Sequence, residues 1–143
     1  MLKKRTKFSL VPLGAALVVA ITASPSQAAV QHYASCYTTG SSGSAATTGW
    51  DYTDAGIPKV VLKVYDEAAD GHHVRVRLVA SYADSKQYFQ WRANYDGYGT
   101  YKSWETYVSG SGNIFDVAVQ VATYEGNEQL SSCTKWVSGG TQG

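Results

Sequence analysis

Apolar residues return at every second position through short stretches of this chain, a spacing that suits strands and excludes amphipathic helices there. Residues 72–81 show it most cleanly. Val74, Val76, Leu78 and Ala80 point to one side, and His73, Arg75 and Arg77 to the other. An apolar face backed by a polar one marks an antiparallel strand with one wet side. Residues 58–66 set Val60, Leu62 and Val64 against Val61, Lys63 and Tyr65. Residues 87–93 place Phe89 and Trp91 inward and Tyr88, Gln90 and Arg92 outward. Residues 100–108 put Trp104 and Thr106 on one face and Tyr101 and Tyr107 on the other. In residues 113–124, Phe115, Val117, Val119 and Val121 face in. Residues 30–38, carrying Cys36, and 129–137, carrying Cys133 and Trp136, complete the set.

Turn chemistry separates these runs. Asp96-Gly97 suits a tight turn with positive φ, and Glu125-Gly126-Asn127-Glu128 closes a hairpin. Residues 39–49 are Gly, Ser, Ala and Thr throughout, which predicts a flexible loop, and 138–143 read as a frayed tail. About seven strands at this spacing, with no helical period, predict an all-β fold. The expected architecture is an antiparallel β-sandwich, immunoglobulin-like or jelly-roll-like, with a closed barrel as the alternative.

Residues 1–28 have the three parts of a secretory signal peptide. Lys3, Lys4, Arg5 and Lys7 precede an apolar core at 8–21, and Ser26-Gln27-Ala28 offers small residues at the cleavage site. Cleavage after Ala28 leaves a single domain at 29–143, and cleavage after Ala29 is the close second. An uncleaved anchor is the remaining reading. Removing the four basic residues of the leader takes 12 Lys+Arg to eight, against 11 Asp+Glu, for a net charge of −3. A mildly acidic secreted domain has no electrostatic reason to seek nucleic acid or anionic lipid. No second apolar run follows, so no membrane is expected after cleavage.

Export also reads the two cysteines. In an oxidising compartment Cys36 and Cys133 form a disulfide, with one pairing open to them and a sequence separation of 133 − 36 = 97. No C-x-x-C spacing supports a redox or metal pair.

Several segments are similar to small secreted proteins of actinobacteria. They are Asp70-Gly71-His72-His73-Val74-Arg75-Val76-Arg77-Leu78, the strand and turn at 91–99, Trp104, and Val117-Ala118-Val119-Gln120-Val121-Ala122 ahead of Ser132-Cys133. The resemblance covers most of the secreted part. It implies export and a β-sandwich, and because that group has no assigned activity it adds no catalytic residue.

Catalytic and metal patterns are sparse. There is no G-x-S-x-G elbow, and Ser109-Gly110-Ser111-Gly112 reads as a turn. His32, His72 and His73 offer no zinc spacing, and adjacent His72 and His73 point to opposite strand faces. Asp66, Glu67 and Asp70 lack the alternate spacing of a calcium loop and read as a solvated turn. Glu105 and Asp116 would need to face each other to act as a glycosidase pair. Lys63, Arg75, Arg77 and Arg92 would form a basic stripe only if their strands were neighbours. No enzyme activity, cofactor or metal is expected.

Aromatic content is the remaining signal, with 11 Tyr and four Trp. Trp91, Trp104 and Trp136 fall on the core alternation and read as core, whereas Trp50, Tyr52, Tyr95 and Tyr98 flank loops and turns. Exposed rings on a rigid β scaffold stack on sugars or anchor proteins. The expectation is a monomeric, secreted, non-catalytic module that binds an extracellular polysaccharide or protein through those four residues. The alternative is a secreted inhibitor or effector that docks to another extracellular protein through the loop at 39–49. A hydrolase is the distant alternative.

Overall fold

The computed structural model describes residues 31–48, 56–109 and 112–137. The leader at 1–28 and the tail at 138–143 lie outside them. Among the described residues there are nine strands and no helix. They are β1 (Gln31–Thr38), β2 (Ser41–Thr48), β3 (Gly56–Asp66), β4 (His73–Ser81), β5 (Lys86–Tyr88), β6 (Arg92–Asn94), β7 (Tyr101–Ser109), β8 (Asp116–Glu125) and β9 (Glu128–Trp136). Sheet A has the order β1-β2-β3-β7. Sheet B has the order β5-β4-β8-β9, with β6 also paired to β4. Every pairing is antiparallel. The chain is an all-β antiparallel sandwich.

The core follows the period-two pattern. Val60, Leu62 and Val64 of β3 meet Val74, Val76 and Leu78 of β4 and Val117, Val119 and Val121 of β8, all 1% exposed or less. Each such side chain contributes roughly 1.5–3 kcal/mol on burial. Cys36 of β1 and Cys133 of β9 are bonded, so the bridge joins an edge strand of sheet A to an edge strand of sheet B.

Three expectations are corrected. The largest concerns 39–49, which is not a flexible loop. Thr39-Gly40 is a two-residue turn, with Gly40 at φ 78°, and 41–48 form an interior strand between β1 and β3. Small side chains are what the position requires. A Cβ on Gly43 would lie 2.6 Å from both Lys63 O and Val121 Cγ2. Ala45 is 1% exposed, Ser41 is bonded to Thr123, and the Thr47 hydroxyl donates to Lys59 O at 2.8 Å. Tertiary pairing overrides a composition that in isolation looks like a linker.

Second, the single strand expected at 87–93 is two short strands on different parts of β4, with β5 on Val79–Ser81 and β6 on Val74–Val76. The break lets Phe89 pack on the core while Trp91 lies on the outer face against Tyr124 and Arg77. Trp91 is therefore not a core residue, and neither is Trp136, which pairs with Ala118 on the outer face and lies beside Lys86. Third, Phe115 is 53% exposed, and Ile114 fills the core in its place. β8 begins at Asp116, so the alternation does not extend back to Phe115.

Candidate functional site

The outer face of sheet A carries a tyrosine-walled trough. Strand pairing stacks its residues in three rungs across four strands. The first is Tyr37–Ser42–Tyr65–Tyr101, the second Ser35–Ser44–Lys63–Ser103, and the third Tyr33–Ala46–Val61–Glu105. Small residues of β2 therefore run down the middle, with larger ones on both sides. The hollow holds about 290 Å³ and is lined by Tyr33, Tyr37, Ser44, Ala46, Lys63 and Tyr65 among others.

The walls are stiff, because each stands on a paired strand. Tyr37 is 71% exposed and Tyr33 59%. Across the floor, Tyr65 stacks on Tyr101 with ring centroids 5.2 Å apart. Strand spacing sets β1 and β3 roughly 10 Å apart, and Tyr33 lies about 13 Å along β1 from Tyr37. The Ser42 hydroxyl is held by Glu67. Lys63 forms no ion pair among the described residues, whereas Glu105 at the far side is paired with Lys59. Among the described residues the lining offers ring faces, hydroxyls and one ammonium group, with the Glu67 carboxylate reaching it through Ser42. Such a surface can stack and hydrogen-bond a ligand.

Two of the four residues singled out from sequence, Tyr95 and Tyr98, lie elsewhere. Trp50 and Tyr52 are outside the described residues. Tyr95 and Tyr98, each 66% exposed, follow β6 on the sheet B side. Tyr95 stacks on His73 at 4.5 Å, and His73 on Tyr124 at 5.8 Å. Tyr88, Tyr101 and Tyr107 are exposed, as the alternation predicts.

The titratable groups are dispersed. Glu105 stands on β7 of sheet A and Asp116 on β8 of sheet B, so the two do not form a facing carboxylate pair. Asp66, Glu67 and Asp70 each take separate partners. Asp70 accepts from His72 N at 3.0 Å and lies 3.1 Å from His72 Nδ1, which holds its carboxyl below the usual range. Asp66 is no part of a solvated turn. It is 2% exposed, with Oδ1 accepting from Ala68 N and Oδ2 unbonded among the described residues. No group of three His, Cys, Asp or Glu among the described residues could hold a metal ion. Lys63 is on the opposite sheet from Arg75 and Arg77, so the four cations considered from sequence make no continuous stripe.

His73 is pushed below its ordinary value of 6.5, first by burial, then by the Arg75 guanidinium and by His72. Arg75 Nε donates to His73 Nε2 at 2.9 Å, a bond that needs the neutral ring. The unfolded chain thus takes up this proton more readily than the folded one. The His73 contribution to stability is complete above pH 6.5 and is lost as pH falls through the lowered folded value. Melting temperature should drop as pH falls below 6.5, and His73→Phe should flatten that slope. An unchanged slope in the variant would remove His73 as its source.

No protein-family model, no curated protein and no solved structure matches this chain. The trough was not legible from sequence because its walls come from strands far apart along the chain. The available signal was Tyr33, Ser35 and Tyr37 alternating with Ala34 and Cys36.

Proposed function

We propose that this protein is a secreted, non-catalytic binding module for an extracellular polysaccharide, and that the sheet A trough holds the chain. The observation that carries this reading is the rigid placement of Tyr33, Tyr37 and Tyr65 around a floor of Ser42, Ser44 and Ala46. Tyrosine rings present flat apolar faces at little entropic cost, and their hydroxyls add polar contacts. A long shallow trough suits an extended polymer better than a compact small molecule, which needs enclosure. The Cys36–Cys133 bridge is compatible with an oxidising extracellular setting.

A protein partner is the second reading, since exposed tyrosines also anchor protein interfaces. The inhibitor version loses its docking loop, because 41–48 form an interior strand. Incubation with insoluble chitin, cellulose and peptidoglycan tests the polymer reading. Retention on at least one is expected, weakened by Tyr37→Ala and Tyr65→Ala. Failure to bind all three would count against it.

A further inference from the structure

The outer face of sheet B presents a second surface, made of residues the trough does not use. Its centre is Arg77 on β4. The guanidinium carbon lies 4.4 Å from the Trp91 ring centroid and 4.6 Å from that of Tyr88. Nε donates to Gln120 Oε1 at 2.6 Å. Both Nη groups are without a hydrogen bond among the described residues. One rung away, Arg75 packs 4.0 Å over Tyr124 and is spent on His73 Nε2 and Gly126 O. At the other end, Lys86 Nζ lies 5.1 Å from the Trp136 ring.

No described carboxylate is ion-paired with Arg75, Arg77 or Lys86. The ion pairs among described residues belong to Lys59, His72 and Lys102. Three cations thus share one sheet face, each resting on a ring. Arg77 differs from Arg75 in having its outer donors unspent. Two rings and Gln120 fix the guanidinium, so little freedom remains to be lost when an acceptor arrives. A fixed guanidinium edge matches the two oxygens of a carboxylate. Tyr88 beside it is 56% exposed and offers a ring face to whatever carries that carboxylate.

We propose that this face binds an acidic polysaccharide, with a uronate carboxylate on Arg77 and the sugar ring on Tyr88. Lys86 and Trp136 supply the next cation and ring along the face. The ligand must combine a charged fork with a flat apolar side, which an acidic sugar does and a neutral glycan does not. Sulfated sugars share the negative charge, and the experiment separates them from uronates. The site is independent of the trough, which lies on the other sheet.

Affinity electrophoresis of the secreted protein through gels containing alginate, heparin or neutral dextran, at low salt, tests the assignment. Alginate should retard the wild type and dextran should not. Arg77→Gln should weaken alginate affinity about tenfold or more, the scale of a charge-assisted bidentate contact. Tyr88→Ala, on a short exposed edge strand, should weaken it about threefold to tenfold without threatening the fold. Tyr37→Ala should leave it unchanged, so failure of the trough and failure of this site are read separately. No retardation by alginate, retardation by heparin alone, or equal retardation of wild type and both sheet B variants would overturn the proposal.

Discussion

Reduction of the Cys36–Cys133 bridge should lower the unfolding free energy by roughly 4–5 kcal/mol, the loop-closure value for a span of this length. The bridge joins residues 97 apart in sequence and holds β1 of sheet A to β9 of sheet B. Reduction therefore releases both the unfolded-state constraint and the tie between the sheets. A domain of this size has a net stability of about 5–15 kcal/mol, so the reduced protein should sit near its folding threshold. Guanidinium titrations of the oxidised and reduced protein measure the difference. Coincident midpoints would show that the bridge contributes nothing to the folded state.

Gly43→Ala should destabilise the domain by about 1–3 kcal/mol, the usual cost of forcing a methyl into a filled core. The new Cβ would meet Lys63 O and Val121 Cγ2, each at 2.6 Å. Lys63 O belongs to a paired strand, so β2 must move away from β3 or sheet A from sheet B. Gly43→Val should cost more still. Ser44→Ala, whose side chain faces the trough, should change stability little and serves as the control. Urea unfolding of the three variants distinguishes them. A neutral Gly43→Ala would mean that β2 does not pack as tightly against Val121 as described.

These two sites also show what was legible in the sequence. The strands at β3, β4 and β8 are plain in it, because Val and Leu fill one face at every second position over 60–64, 74–78 and 117–121. The Cys36–Cys133 pairing follows from counting. β2 is not legible from its own residues. Ser, Gly, Ala and Thr have no apolar period to read, and the strand exists because β1 and β3 flank it and Val121 lies against Gly43. The break between β5 and β6 is equally hidden. Phe89 and Trp91 look like one inward pair, yet Trp91 turns out to cover Arg77. The trough is hidden for the same reason. Its floor has the composition of a loop, and its walls meet only through pairing of β1, β2, β3 and β7. Single exposed tyrosines were visible, whereas their assembly depends on register.

On the proposed function, the trough itself, rather than scattered exposed rings, holds the polymer. Ser44→Phe tests it most directly. Ser44 lies in the middle rung of the floor, between Ser35 and Lys63, so a bulky ring there fills the hollow while every tyrosine stays in place. Retention on whichever of chitin, cellulose or peptidoglycan holds the wild type should be lost, with the melting temperature close to that of the wild type. Undiminished retention of a folded Ser44→Phe protein would contradict the account.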